Sequence, residues 1–188
     1  FIPSDSKITV NKANLGLISP LDSDRKIDVD YFSSFAERHL DVVSLCKFLI
    51  SPQQKILKIP SNKDFKIDKS KPIAIAEDKI FHFQYPETKE FLNEIGIPLI
   101  SWSIFNNEVI PPEASSLFIP GGFPEKYASH ISDSDKSLKS LREFRKKGFI
   151  YAECGGMMIL GDLIKDEHGN NHKTVSYTHL TLPTKVTV

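Results

Sequence analysis

Apolar residues recur along this chain at two different periods, and the change from one to the other falls near residue 72. In the first part, Val29, Phe32, Phe35, Ala36, Leu40, Val43, Cys46 and Ile50 are spaced by threes and fours, which predicts helix over 28–50. A break is expected near Asp41, whose side chain suits the cap of a second helix. Cys46 lies on the apolar stripe and is expected in a core. Before this helix, residues 1–24 are irregular and hold the strand-like piece Leu15-Gly16-Leu17-Ile18-Ser19-Pro20, closed by its proline. Residues 51–72 are rich in lysine, proline, serine and asparagine and keep no period despite a Lys55-Ile56-Leu57 patch, which is the composition of a linker.

After the linker, strands and helices alternate. Ile73-Ala74-Ile75-Ala76 reads as a strand, 87–95 as a helix stopped by Gly96, 98–102 and 117–119 as two more strands. Residues 137–147 form an amphipathic helix with Leu138, Leu141 and Phe144 on one side, basic residues near its end and Gly148 closing it. A last strand spans 149–152. This rhythm predicts an α/β domain with a mostly parallel sheet, in which ligands sit at the carboxyl ends of the strands.

Two such ends carry glycine pairs. Gly148-Phe149-Ile150-Tyr151-Ala152-Glu153-Cys154-Gly155-Gly156-Met157-Met158-Ile159-Leu160 is a short strand, a sharp turn and an apolar helix start, the pattern of a nucleophile elbow. Gly155 and Gly156 let the chain reverse tightly, and Cys154 would stand where unpaired N–H groups favour an anion. Taken alone, a cysteine beside an apolar run is more often an inert buried residue. The second pair, in Leu117-Phe118-Ile119-Pro120-Gly121-Gly122-Phe123-Pro124-Glu125, shifts the balance, since a second strand-end turn can bring backbone N–H groups to a thiol as an oxyanion hole. An ordinary strand-to-helix turn fits the same spacing.

Charge narrows the partners. Lysine plus arginine equal aspartate plus glutamate at 24 each in 188 residues, so no basic excess draws the chain to nucleic acid or to an anionic membrane. A small-molecule partner is the better expectation. No run of about 18 apolar residues occurs and no secretory signal is visible. Cys46 and Cys154 are too few for a disulfide framework, and both are read as reduced. The start at Phe1 suggests a fragment.

The motif Pro120-Gly121-Gly122-Phe123-Pro124-Glu125, followed about thirty residues on by Ala152-Glu153-Cys154-Gly155-Gly156, resembles the glutamine amidotransferase domain of the cobyrinic acid a,c-diamide synthase family of cobalamin biosynthesis. Ile73-Ala74-Ile75-Ala76-Glu77-Asp78 and Phe81-His82-Phe83-Gln84-Tyr85-Pro86-Glu87 resemble its first strand and the following loop. The resemblance implies a class I glutamine amidotransferase-like, flavodoxin-like fold over 73–173, truncated, after the end of a P-loop-type synthetase domain at 1–50 and the linker at 51–72. The likeness over 1–50 is weaker, with Asn14-Leu15-Gly16-Leu17 in place of the turn usual in that domain. Residues 174–188 fit nothing in the family and read as a non-native tail.

Function follows by resemblance. Cys154 would attack the side-chain amide of L-glutamine, with the N–H groups of Gly155 and Gly122 as oxyanion hole and Gly121 and Gly156 supporting the loops. The ammonia would amidate the a and c acetate carboxylates of the corrinoid cobyrinate, driven by ATP with magnesium bound outside this chain. The resemblance implies a cytoplasmic ligase, with a homodimer among the assemblies open to it, and expects the fragment itself to be inactive. The catalytic histidine would come later than any of the six present. His168 and His172 belong to a polar turn, His179 to the doubtful tail, and His82 to a loop where packing on aromatics is expected. Since an elbow strand normally has strands on both sides, more of them are expected past residue 173. Two relatives stay open, the nickel-sirohydrochlorin a,c-diamide synthase and cobyric acid synthase, of which the second departs at Glu153 and at Gly-Gly-Phe-Pro-Glu. A noncatalytic binding module, with Cys154 structural, is the reading from another class.

Overall fold

The computed structural model describes residues 2–8, 28–49 and 68–176. The strand-like piece at 15–20, most of the linker, Ile50 and His179 lie outside the described residues. Contacts divide the chain into two units, Phe1–Ser61 and Asn62–Val188.

In the first unit, α1 (Val29–His39) begins where Asp28 Oδ1 accepts the Tyr31 N–H at 3.0 Å, and α2 (Val42–Leu49) begins where Asp41 Oδ1 accepts the Ser44 N–H at 3.0 Å. Asp41 therefore caps a second helix as its position in the sequence predicts. The expectation for Cys46 is corrected: the thiol is exposed, and α2 has no buried residue. Period alone identifies which face of a helix is apolar and says nothing of what covers it. Among the described residues of this unit only Phe35 of α1 is buried.

The second unit is built on four parallel strands, β1 (Ile73–Ala76), β2 (Leu99–Trp102), β3 (Ser116–Ile119) and β4 (Phe149–Ala152), in the order β2-β1-β3-β4. The first connection is α3 (Pro86–Glu94), whose Pro86 lacks the N–H that a first helical turn leaves unpaired. Gly96, at φ 81°, ends it. The chain then returns past β1 to β3 through a loop that holds Trp102 Nε1 and Ser137 Oγ on the Glu108 carbonyl, at 3.0 and 2.6 Å. Between β3 and β4 run a 3-10 turn (Pro124–Tyr127), α4 (Ala128–Ser132) and α5 (Asp135–Phe144). On α5, Leu138, Leu141 and Phe144 are buried, as their spacing predicts. They join Ala74, Ala76, Trp102, Leu117 and Ile119 in one core.

After β4 come the single turn α6 (Gly155–Met158) and a hairpin of β5 (Leu163–Lys165) and β6 (Asn171–Lys173). The hairpin was not expected. Its strands are three residues each, too short to show alternation, so Asp166 to His172 read only as a polar turn. The packed chain runs past Lys173: Thr174 and Val175 are buried, Thr174 Oγ1 donates to the Gly161 carbonyl at 2.6 Å, and Arg142 donates to the Thr174 carbonyl at 2.7 Å. Among the described strands β4 lies at the edge of the sheet.

Candidate functional site

The strand order reverses between β1 and β3, and in open parallel sheets the crevice at such a reversal is where ligands bind. Three strand ends meet there. After β1, Asp78 ties the loop: its Oδ1 accepts the N–H groups of Ile80 and Phe81 at 2.9 and 3.3 Å, and its Oδ2 accepts the Ser103 hydroxyl and the Phe105 N–H at 3.1 and 3.0 Å. One carboxylate thus holds the loops after β1 and β2 together. Sequence reasoning quotes Asp78 within the first-strand motif and gives it no role, although aspartate two residues before a loop N–H is a turn signal. The Gln84 amide adds donors to the Ala76 and Phe81 carbonyls at 3.0 and 3.2 Å.

The loop after β1 lies against the Gly121-Gly122 turn. Phe83 N–H donates to the Gly121 carbonyl and Phe123 N–H to the Ile80 carbonyl, both at 3.1 Å. A Cβ placed on Gly122 would lie 1.8 Å from the Ile80 oxygen, so only glycine permits this approach. Gly121 is looser: a Cβ there would be 3.2 Å from Phe83 Cβ and 3.5 Å from Cys154 Cβ.

The elbow interleaves with that turn. Glu153 N–H donates to the Ile119 carbonyl at 3.0 Å, continuing the β3–β4 ladder one step past the strand. Cys154 then takes φ 46°, ψ −117°, a conformation that L residues rarely adopt and that persists only where the surroundings impose it. Gly156 N–H closes the turn onto the Glu153 carbonyl at 2.7 Å. Cβ atoms on Gly155 and Gly156 would lie 2.4 Å from the Gly122 oxygen and 2.2 Å from the Ile119 oxygen. The glycines that sequence spacing singled out, Gly121, Gly122, Gly155 and Gly156, are therefore brought together around Cys154, whose side chain is exposed. The helix behind it is a single turn, so any charge effect rests on the local N–H groups, that of Gly155 foremost, and not on a long dipole.

Histidines are elsewhere engaged. His82 packs on the rings of Phe83 and Phe123, with centroids 4.5 and 5.5 Å away, and its Nδ1 lies 3.2 Å from the Lys79 carbonyl. This is the aromatic packing expected from sequence. His130 stacks on Phe105 with Nε2 2.7 Å from that residue's carbonyl. His172 pairs with Asp166 at 3.0 Å in the hairpin, where the Asn170 amide, then His172, holds the Asp166 carboxyl far below the usual carboxylate range. No described histidine hydrogen-bonds to Cys154.

Beside the elbow, Tyr151 donates to Glu153 Oε1 at 2.7 Å, and that bond raises the Tyr151 phenol above its ordinary value. Both line a cavity of about 400 Å³ with Phe83, Gln84, Phe118 and Phe149. No group of three metal-ligating side chains occurs among the described residues. No helix among the described residues is long and apolar enough to cross a membrane.

A mostly parallel α/β sheet whose fourth strand ends in a strained cysteine elbow, backed by a second glycine turn, is consistent with a glutamine amidotransferase-like fold. The chain belongs to the CobB/CobQ-like glutamine amidotransferase domain family, whose model matches residues 72–187. The match runs through the stretch read as a tail. Among curated proteins the chain is 34% identical over 179 residues to the cobyrinate a,c-diamide synthase of Caldanaerobacter subterraneus subsp. tengcongensis, covering 93% of this chain and 38% of that protein. It is 32% identical over 170 residues to that of Clostridium tetani, covering 89% and 37%. The hydrogenobyrinate a,c-diamide synthase of Brucella anthropi is 26% identical over 183 residues, 95% of this chain and 41% of that protein. The chain thus spans about two fifths of the length of these relatives. No solved structure matches with significance.

Proposed function

We propose that this domain releases ammonia from L-glutamine at Cys154 for the amidation of the a and c acetate carboxylates of cobyrinate. The observation that carries the reading is the backbone of Cys154, held at positive φ between two interleaved glycine turns. Its sulfur attacks the amide carbon, the carbon–nitrogen bond breaks, the thiol proton leaves with the nitrogen as ammonia, and a glutamyl thioester remains. Water then cleaves the thioester, returning the thiol and releasing glutamate. The N–H groups of Gly155 and Gly122 hold the oxyanion, each contributing roughly 3 kcal/mol. The general base is a histidine other than those described. Amidation itself, with ATP and magnesium, belongs to a synthetase domain outside residues 72–187. The names of the relatives support the corrinoid substrate.

The test is alkylation by 6-diazo-5-oxo-norleucine, a glutamine mimic that joins a thiolate with loss of dinitrogen. Peptide mass spectrometry should find the adduct on Cys154 while Cys46 stays free. Because both thiols are exposed, iodoacetamide should label both. Equal labelling of the two by the glutamine mimic, or labelling of Cys46 alone, would overturn the nucleophile assignment.

A further inference from the structure

The alternation of β4, continued one step by the Glu153 N–H on the Ile119 carbonyl, places Phe149, Tyr151 and Glu153 on one face, and all three line the cavity beside the elbow. Glu153 is the only carboxylate among the lining residues, which are otherwise mainly apolar and aromatic. Cys154 follows Glu153 in sequence and does not itself line the cavity; Phe83 does, and Phe83 Cβ and Cys154 Cβ lie 3.2 and 3.5 Å from the point where a Gly121 Cβ would stand. The Glu153 backbone is fixed at both ends, its N–H to the Ile119 carbonyl and its carbonyl to the Gly156 N–H. Its carboxylate is aimed by the Tyr151 hydroxyl on Oε1 at 2.7 Å, while Oε2 has no hydrogen-bond partner among the described residues.

A carboxylate with one oxygen anchored and one open, next to the nucleophile in sequence and lining an apolar cavity, suits a ligand with a short methylene chain and a cationic head. In glutamine the ammonium is four bonds from the amide carbon that Cys154 would attack. We infer that Glu153 binds the α-ammonium of glutamine through its open oxygen and so selects a free amino acid over other primary amides. The inference rests on the glutaminase reading of Cys154.

Three electrophiles separate the roles on the purified chain: 6-diazo-5-oxo-norleucine, its analogue 6-diazo-5-oxohexanoate without the amino group, and iodoacetamide. In wild type, the amino-bearing diazoketone should alkylate Cys154 about tenfold faster than the deaminated one, the value of one charged hydrogen bond. Glu153→Gln should slow the amino-bearing reagent about tenfold and leave the other two within about twofold. Equal wild-type rates for the two diazoketones would overturn the inference without any variant, and this comparison stands even if Glu153→Gln does not fold. So would a loss in Glu153→Gln shared by all three reagents, which marks a structural role for the Tyr151–Glu153 pair. Either result leaves the nucleophile in place provided that both diazoketones select Cys154 over Cys46. Failure of that selection in wild type overturns the glutaminase reading and this inference with it.

Discussion

Replacing Gly122 by alanine should damage this domain far more than replacing Gly121, although the two are neighbours in one motif. A Cβ on Gly122 lies 1.8 Å from the Ile80 oxygen, 2.8 Å from its carbonyl carbon and 3.0 Å from Phe81 Cα. Carbon and carbonyl oxygen normally touch at about 3.3 Å, so the loop after β1 must retreat by about 1.5 Å. Retreat breaks the 3.1 Å bond from Phe123 N–H to the Ile80 carbonyl and strains the Asp78 cradle on the same loop. Overpacking costs about 1–3 kcal/mol and the bond about 1 more, which gives a loss of about 2–4 kcal/mol. On Gly121 the same methyl group meets side-chain carbons at 3.2 and 3.5 Å, an adjustment of a few tenths of an ångström and a cost of about 1 kcal/mol or less. Gly169 is a useful third case, because its φ is 84° and no atom lies within 4 Å of an added Cβ. There the cost is left-handed strain alone, about 1–2 kcal/mol. Urea unfolding followed by circular dichroism, with Cys154 alkylation rates alongside, ranks the three. A Gly122→Ala midpoint indistinguishable from that of Gly121→Ala would refute the close approach of the loops after β1 and β3.

Asp78→Ala removes the acceptor for two loop N–H groups after β1 and two donors after β2, and should cost about 2–4 kcal/mol in the same assay, whereas Asp78→Asn should retain part of it. The Asp166 carboxyl is depressed by the Asn170 amide and His172, so its contribution to the hairpin is complete above its unfolded value of 3.8 and is lost as pH falls through the lower folded value. The protection factor of the Asn170 amide, which removes the intrinsic pH dependence of exchange, should therefore fall as pH drops below about 4, a response that Asp166→Asn should abolish. The purified chain should release no phosphate from ATP, as measured colorimetrically, since it carries no glycine-rich phosphate loop.

The sheet was legible in the sequence because its strands are short, mainly apolar runs bounded by polar, glycine or proline residues, a pattern that holds for the well-buried β1 and for the more exposed β4 alike. Cys154 was legible for the same reason that it is strained: only small neighbours permit the turn, and Gly155-Gly156 supplies them. The inequality of Gly121 and Gly122 was not, since it depends on the Ile80 carbonyl some forty residues away. Cys46 misled because its helical stripe records an apolar face without recording a partner. Asp78 escaped because its four hydrogen bonds reach into two loops, and a single aspartate carries no period. Glu153 was noticed as part of a motif, but its pairing with Tyr151 appears only when the strand puts residues two apart on one face.

The position of β4 has a practical side. Its outer rim is unpaired among the described strands, while Phe149 and Tyr151 are 67% and 53% exposed on the strand that presents Cys154. Such a rim templates the addition of another strand, whether from a further segment or from a second molecule. Self-association of the purified chain should therefore rise steeply with concentration. A lysine in place of Phe149 should improve colloidal behaviour and leave the elbow geometry intact. For handling, the exposed edge strand leads directly into the nucleophile, so association along β4 brings a second molecule beside the Cys154 thiol.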